Sequence, residues 1–205
     1  MENSTKERIL QEALKLFAQN GYGGTSMSDI ANKSGITKGA LYKHYASKQE
    51  IFDSIVERMN QMDQERIIQY QLPEGTIPKV AADYKSIPVE KIRTFSEAQF
   101  RHWTEEEFSC DFRKMLTLEQ YRNEEIGKLY QDYLVTGPIQ YMTELFSEMF
   151  KEADKGMMNP EQVALDFYGP IYLLINMYDG ASDKEKLLRL LEEHVERFAK
   201  QERLA

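Results

Sequence analysis

Residues 35–48 read GITKGALYKHYASK and hold three lysines, one histidine, two tyrosines and no acid, in a chain whose formal net charge is −8. Cations interleaved with phenols suit a polyanion, because both donate hydrogen bonds to phosphate oxygens. On a helix over about Lys38–Tyr45, Leu41 and Tyr45 lie four apart and face a core. Lys38 and Tyr42 share the other side, flanked by Lys43 and His44. Thr37 stands where an N-terminal cap belongs, and a capped helix start presents free amides that suit a phosphate. Gly39 falls in the first turn, where glycine costs about 1 kcal/mol against alanine. A return for that cost is close approach of backbone to a groove floor or a phosphate. Lys48 begins the next helix within reach of an adjacent nucleic-acid strand. The same residues also fit a blander arrangement, a small helical bundle with ordinary surface lysines.

The elements that hold this patch announce themselves through caps. Ser4 and Glu7 have capping-box spacing, and Ile9, Ala13, Leu16 and Phe17 follow at helical spacing to Asn20-Gly21, a stop signal. Ser26, with Asp29 three residues on, opens a second helix over about Met27–Ser34 that turns Ile30 and Ala31 inward, and Gly35 closes it. Ile36 and Leu41 have the spacing of a hydrophobic staple around Thr37, and Ser47 with Glu50 opens a fourth helix. A short helix, a glycine turn and a second short helix between two longer ones is the layout of a helix-turn-helix.

The run TSMSDIANKSGITKGALYKHYASKQEIF, residues 25–52, resembles the signature of TetR-type (TetR/AcrR) transcriptional regulators. A Thr-rich start, an Asp-Ile-Ala core, a glycine turn, a Lys-Gly-x-Leu-Tyr helix, an aromatic residue and Lys-x-x-Ile follow in that family's order. With helix one included, the resemblance covers nearly 50 residues; beyond it, the chain matches only in length and helical character. It implies that Thr37, Lys38 and Gly39 enter the major groove, that Tyr42, Lys43 and Lys48 bind phosphates with His44 beside them, and that Thr25, Ser26 and Ser28 add contacts. Tyr45 stands where the family usually has phenylalanine, which leaves a hydroxyl to satisfy. A helix this short reads few bases, so the resemblance implies a homodimer on a palindromic operator, with heads about 34–36 Å apart or a multiple of that.

Charge is split along the chain. Residues 1–48 carry seven cations against four carboxylates, a net +3 that leaves −11 for the rest. From Lys48 to about Tyr70, Ile51, Phe52, Ile55, Val56, Met59 and Met62 keep one helical stripe, and a tilt at the far end of such a helix displaces whatever its near end carries. Gln71–Glu74 and Ile77–Pro78 break the pattern, and Pro88 starts a further helix at its first position. The segment after it is dense in aromatic residues. Phe100, His102, Trp103, Phe112, Met115, Tyr121 and Tyr133 are candidates for an apolar ligand cavity with a few polar tips, with plain core packing as the alternative. A helix from Gly137-Pro138 carries Met142, Leu145, Phe146 and Met149 and ends at Gly156. The next, capped by Asn159 and kinked at Pro170, carries Phe167, Ile171, Leu174 and Tyr178. These two resemble the dimerising pair of TetR-type bodies; internal packing is the alternative. Ser182 and Glu185 cap the last helix.

The chain therefore reads as all-α. An N-terminal helix-turn-helix head over residues 1–48 is joined by a long helix to a ligand-binding and dimerisation body over residues 49–205. No nucleophile–base pair, phosphate loop or metal-ligand spacing stands out, so the expectation is no enzyme, no metal and no cofactor. With one cysteine, Cys110, no internal disulfide forms. The N-terminus lacks secretory character and no run is long enough to span a bilayer, so a cytoplasmic protein away from membranes is expected. The expected function is a dimeric, sequence-specific repressor of transcription, released by a small apolar or aromatic effector in the body. The alternative is an all-helical binding protein or enzyme whose helix-turn-helix is only structural.

Overall fold

Capping residues and apolar stripes set the element boundaries. The computed structural model describes residues 5–84, 88–151 and 159–201, and among these there are helices and no strands. In chain order these are α1 (Thr5–Asn20), α2 (Met27–Lys33), α3 (Lys38–Tyr42), α4 (Lys48–Gln69), α5 (Ile77–Tyr84) and α6 (Val89–Thr104). There follow α7 (Glu107–Glu119), α8 (Glu124–Leu134), α9 (Thr136–Phe150), α10 (Pro160–Tyr178) and α11 (Lys184–Gln201). The chain divides into two compact units, Met1–Arg66 with Glu106–Tyr130, and Ile67–Glu105 with Gln131–Ala205.

In the first unit α1 packs on α2 and α7. Ile9, Leu10, Ala13, Leu14 and Phe17 of α1 are buried, as are Phe112, Met115 and Leu116 of α7. Each of the Ile, Leu, Phe and Met side chains among them contributes about 1.5–3 kcal/mol on leaving water. Leu16, expected inside, is half-buried, and Leu10 and Leu14 take the inner stripe. The second unit packs α5 against α9, α9 against α10, and α6 and α10 against α11. Its core includes Val80, Leu145, Phe146, Met149, Val163 and Phe198.

Several boundaries differ from the sequence reading. The Ser4–Glu7 box and the stop at Gly156 both involve residues outside those described. Ile77–Pro78 starts α5 instead of breaking the chain's helical course. Proline in a first turn removes no helical bond, and the Val80 amide donates to the Thr76 carbonyl at 3.0 Å. Pro88 is the N-cap of α6, one place ahead of its first residue, and α9 begins at Thr136. At α4 the Ser47 hydroxyl accepts from the Glu50 amide, but the Glu50 carboxylate accepts from the Ala46 amide, one residue further out than a capping box requires. Asp183, not Ser182, caps α11, its carboxylate accepting from the Lys186 amide at 2.9 Å. α10 continues through Pro170 as one element.

Candidate nucleic-acid interface and body cavity

Residues 30–49 carry four lysines and no carboxylate. They fold into a short frame held from both ends. At the start of α2 the Ser26 hydroxyl accepts from the Asp29 amide at 3.2 Å, and the Asp29 carboxylate accepts from the Ser26 amide at 2.9 Å and from the Ser26 hydroxyl at 2.6 Å. Those two donors hold the Asp29 carboxyl below its ordinary range, the hydroxyl more than the amide. Gly35, at φ +66°, turns the chain out of α2. Thr37 then caps α3, its hydroxyl accepting from the Ala40 amide at 3.1 Å.

α3 ends at Tyr42, three residues earlier than the periodicity predicts, because the amides of Lys43 and His44 turn back onto Ala40 and Leu41. Leu41 and Tyr45 are nonetheless buried, as their spacing requires. Burial raises the pKa of the Tyr45 phenol, against a smaller lowering by the Ser54 side chain. Thr37, Lys38, Gly39, Tyr42 and Lys43 are exposed together, with Tyr42 at 47%. The Lys38 ammonium lies 6.0 Å from the centre of the Tyr42 ring. Nothing lies within 4 Å of where a Gly39 side chain would begin, so the backbone there is open to an approaching surface.

Other expected contacts are committed inside the fold. The Thr25 side chain is buried and its hydroxyl donates to the Gly21 carbonyl at 3.0 Å. The Lys48 ammonium donates to the carbonyls of Tyr22, at 2.6 Å, and Thr25, at 2.8 Å, and sits 4.2 Å from the Tyr22 ring centre. Burial lowers its pKa, against the attraction of Glu119. Of its three N–H donors, one is left for a phosphate. Ser26 is exposed, while Ser28 and His44 are half-buried. Gly21, at φ +78°, has the Glu119 carboxylate oxygen 2.2 Å from the place a Cβ would occupy, so any other residue here takes left-handed strain and must displace the Glu119 side chain.

The second unit contains a cavity of ≈ 150 Å³. Its apolar wall comes from Phe95, Met142, Phe146, Met149, Phe167 and Phe198, and its polar lining from Tyr84, Lys91, Ser96, Gln99, Tyr141 and Tyr168. Burial, with a smaller push from Tyr141, raises the Tyr84 phenol to about 12, so it stays neutral. The Tyr168 hydroxyl donates to the Leu134 carbonyl at 2.9 Å.

None of the aromatic residues singled out between positions 100 and 133 lines this cavity. Phe112 and Met115 are in the core of the first unit, and Tyr121 stands in solvent at 92% exposure. Phe100, His102 and Trp103 are buried on α6, with Tyr133 edge-on to Trp103 at 6.5 Å. The residues singled out for a dimer face are instead internal: Leu145, Phe146, Met149, Ile171, Leu174 and Tyr178 are buried, and Met142 and Phe167 pack on the same core. Those six buried side chains are covered by their own chain, whereas Met142 and Phe167 are half-buried. The large apolar side chains left exposed on the last two helices are Leu165, Leu173, Met177 and Leu190. Lys91, Tyr84, Tyr141 and Phe198 were not foreseen at a cavity. They come from four helices, and the only sequence signal was the apolar stripe of each.

No helix among the described residues is long and apolar enough to cross a membrane, and no group of His, Cys, Asp or Glu among them is placed to hold a metal ion. Residues 9–55 match the family model described as bacterial regulatory proteins, tetR family. The HTH-type transcriptional regulator AcrR of Shigella flexneri is 39% identical over 67 residues, 33% of this chain and 31% of that protein. The negative transcriptional regulator of the biofilm operon icaADBC, IcaR of Staphylococcus epidermidis, is 42% identical over 52 residues, 25% of this chain and 28% of that one. The chain thus matches about a third or less of the length of these relatives. The crystal structure of AibR in complex with isovaleryl coenzyme A and operator DNA superposes with a TM-score of 0.60 at 20% identity, covering 92% of this chain and 96% of that one. At that identity the likeness shows the fold alone, over the 92% of this chain that it covers.

Proposed function

We propose that this chain, a member of the tetR family of bacterial regulatory proteins through residues 9–55, is a homodimeric, sequence-specific DNA-binding repressor of transcription. It binds a palindromic operator and lets go when a small apolar ligand enters the cavity of the second unit. The observation that carries the reading is the exposed group Thr37, Lys38, Gly39, Tyr42 and Lys43 on a capped helix, inside a stretch with no carboxylate from residue 30 to 49. Lys38 and Lys43 bring positive charge to a phosphate backbone, Tyr42 donates to it, and the open backbone at Gly39 meets the groove. Thr25 supports α2 from within, and Lys48 both braces the α1–α2 turn and offers its remaining donor.

The naming of IcaR as a negative regulator supports the sign, and the joint presence of ligand and operator DNA in the AibR structure supports an effector-controlled reading. The exposed apolar residues Leu165, Leu173 and Met177 of α10 and Leu190 of α11 supply a dimer face, in place of the buried set. By linkage, operator DNA weakens ligand binding by the same factor that ligand weakens operator binding.

Selection of bound fragments from random duplex DNA is expected to return a palindrome. On that sequence, log K falls with log salt by about 0.9 per phosphate contacted. Lys38→Ala and Tyr42→Phe are each expected to weaken binding measured by fluorescence anisotropy, and Lys38→Ala also to flatten the salt slope. If neither variant changes affinity, or if no duplex is retained at low salt, the reading fails.

A further inference from the structure

Lys91 supplies the only charged side chain on the cavity wall among the described residues, and no carboxylate lines it. The rest of the wall is apolar or neutral, since the Tyr84 phenol stays protonated. Such a site prefers a neutral or anionic guest to a cationic one. Its ≈ 150 Å³ matches the size of engineered apolar cavities that take up benzene, about 150 Å³.

The present partner of that ammonium is a backbone group. Lys91 Nζ donates to the Gln71 carbonyl at 2.9 Å. Gln71 is the one described residue other than glycine with positive φ, +48°. It closes α4 in the manner usually given to glycine: its amide donates to the Ile68 carbonyl at 3.1 Å, and the Leu72 amide donates to the Ile67 carbonyl at 3.0 Å. Leu72 is itself part of the cavity wall. The cap of α4 and the cavity therefore share one cation and one apolar side chain, and the cap residue is held in a conformation its own side chain disfavours.

We infer that the cavity takes a small apolar monoanion, a hydrocarbon or aromatic carboxylate, whose acid group is bound by Lys91 and in binding draws the ammonium off the Gln71 carbonyl. The inference rests on the reading of this cavity as the effector site. It assigns Lys91 two alternative partners, the α4 cap without ligand and the carboxylate with it. Occupancy then loosens the last turn of α4, because the guest takes the bond that steadies the left-handed residue.

Three probes with one aromatic body and different heads test this: phenylacetate, 2-phenylethanol and the 2-phenylethylammonium ion, titrated calorimetrically into the full chain. Phenylacetate is expected to bind about tenfold more tightly than the alcohol, the gain of a charge-assisted hydrogen bond, and the cation most weakly. Lys91→Met is expected to abolish the preference and leave 2-phenylethanol binding in place, and Lys91→Arg to keep it. Amide exchange at Gln71 and Leu72 is expected to quicken with phenylacetate and not with the alcohol. Equal binding of acid and alcohol, or a preference that survives Lys91→Met, overturns the anion assignment while the cavity stands. Unchanged exchange at Gln71 and Leu72 overturns the displacement. Binding of none of the three overturns both this inference and the effector reading beneath it.

Discussion

In the α2–α3 frame, the bonds that set the shape join near neighbours. Ser26 with Asp29, Thr37 with Ala40, Ala46 with Glu50 and Ser47 with Glu50 are three or four residues apart. The cavity of the second unit is built otherwise. Its wall collects residues from Leu72 to Ala199, and rings from different helices meet there, Phe167 and Phe198 at 4.8 Å and Phe146 and Phe198 at 5.9 Å. A surface made of local bonds survives loss of any one of them. A wall made of distant side chains has no shape unless all of them pack.

That contrast is most exposed to attack at Phe198. Phe198→Ala removes a buried ring from Phe146, Phe167 and His194 and is expected to lower unfolding free energy by about 3–5 kcal/mol in urea titration. A loss under about 1 kcal/mol would mean that the wall collapses onto the gap and is not the rigid packing described. Next in size is Gly21→Ala, expected to cost about 3 kcal/mol through left-handed strain together with the clash on Glu119. Gly35→Ala, at φ +66° with no neighbour within 4 Å, is expected to cost only about 1–2 kcal/mol, the strain alone. Equal costs at the two glycines would remove Glu119 from the account and make the α1–α2 turn as local as the rest. Thr37→Ala deletes one cap and is expected to cost about 1 kcal/mol by the same titration, with Thr37→Asn restoring most of it.

The smallest effect concerns Asp29. Its folded pKa is depressed below 3.8 by the Ser26 hydroxyl and amide, so its contribution to stability is present above that value and is lost as pH falls through the folded pKa. Thermal melts of the wild type and Asp29→Asn are expected to differ at neutral pH and to converge at the acid end. A constant gap would place the interaction in the side chain's shape and not in its charge.

The frame was legible because its signals are short in range. Ser26, Gly35 and Thr37 act on residues within four positions, and each does in the fold what its type and spacing require. The early end of α3 was not legible, since periodicity continues through Tyr45 while the backbone has already turned at Lys43. Nor was the internal commitment of Lys48 and Thr25, whose partners at Tyr22 and Gly21 depend on how the turn folds. The cavity was not legible at all. Aromatic density between positions 100 and 133 measures how much apolar mass must be buried, not where space is left over. That space is a remainder of packing among α5, α6, α9, α10 and α11, and a stripe on one helix carries no record of its neighbours.

Lys48 fastens the first turn of α4 to the loop ahead of α2 as a hasp fastens a lid. Parting them breaks two charge-assisted hydrogen bonds, so a shift at the root of α4 draws α2 along as one piece. The frame would then turn whole, not bend: a shift at α4 would reach it as a change of aim, with the exposed surface around Tyr42 kept in its own shape throughout.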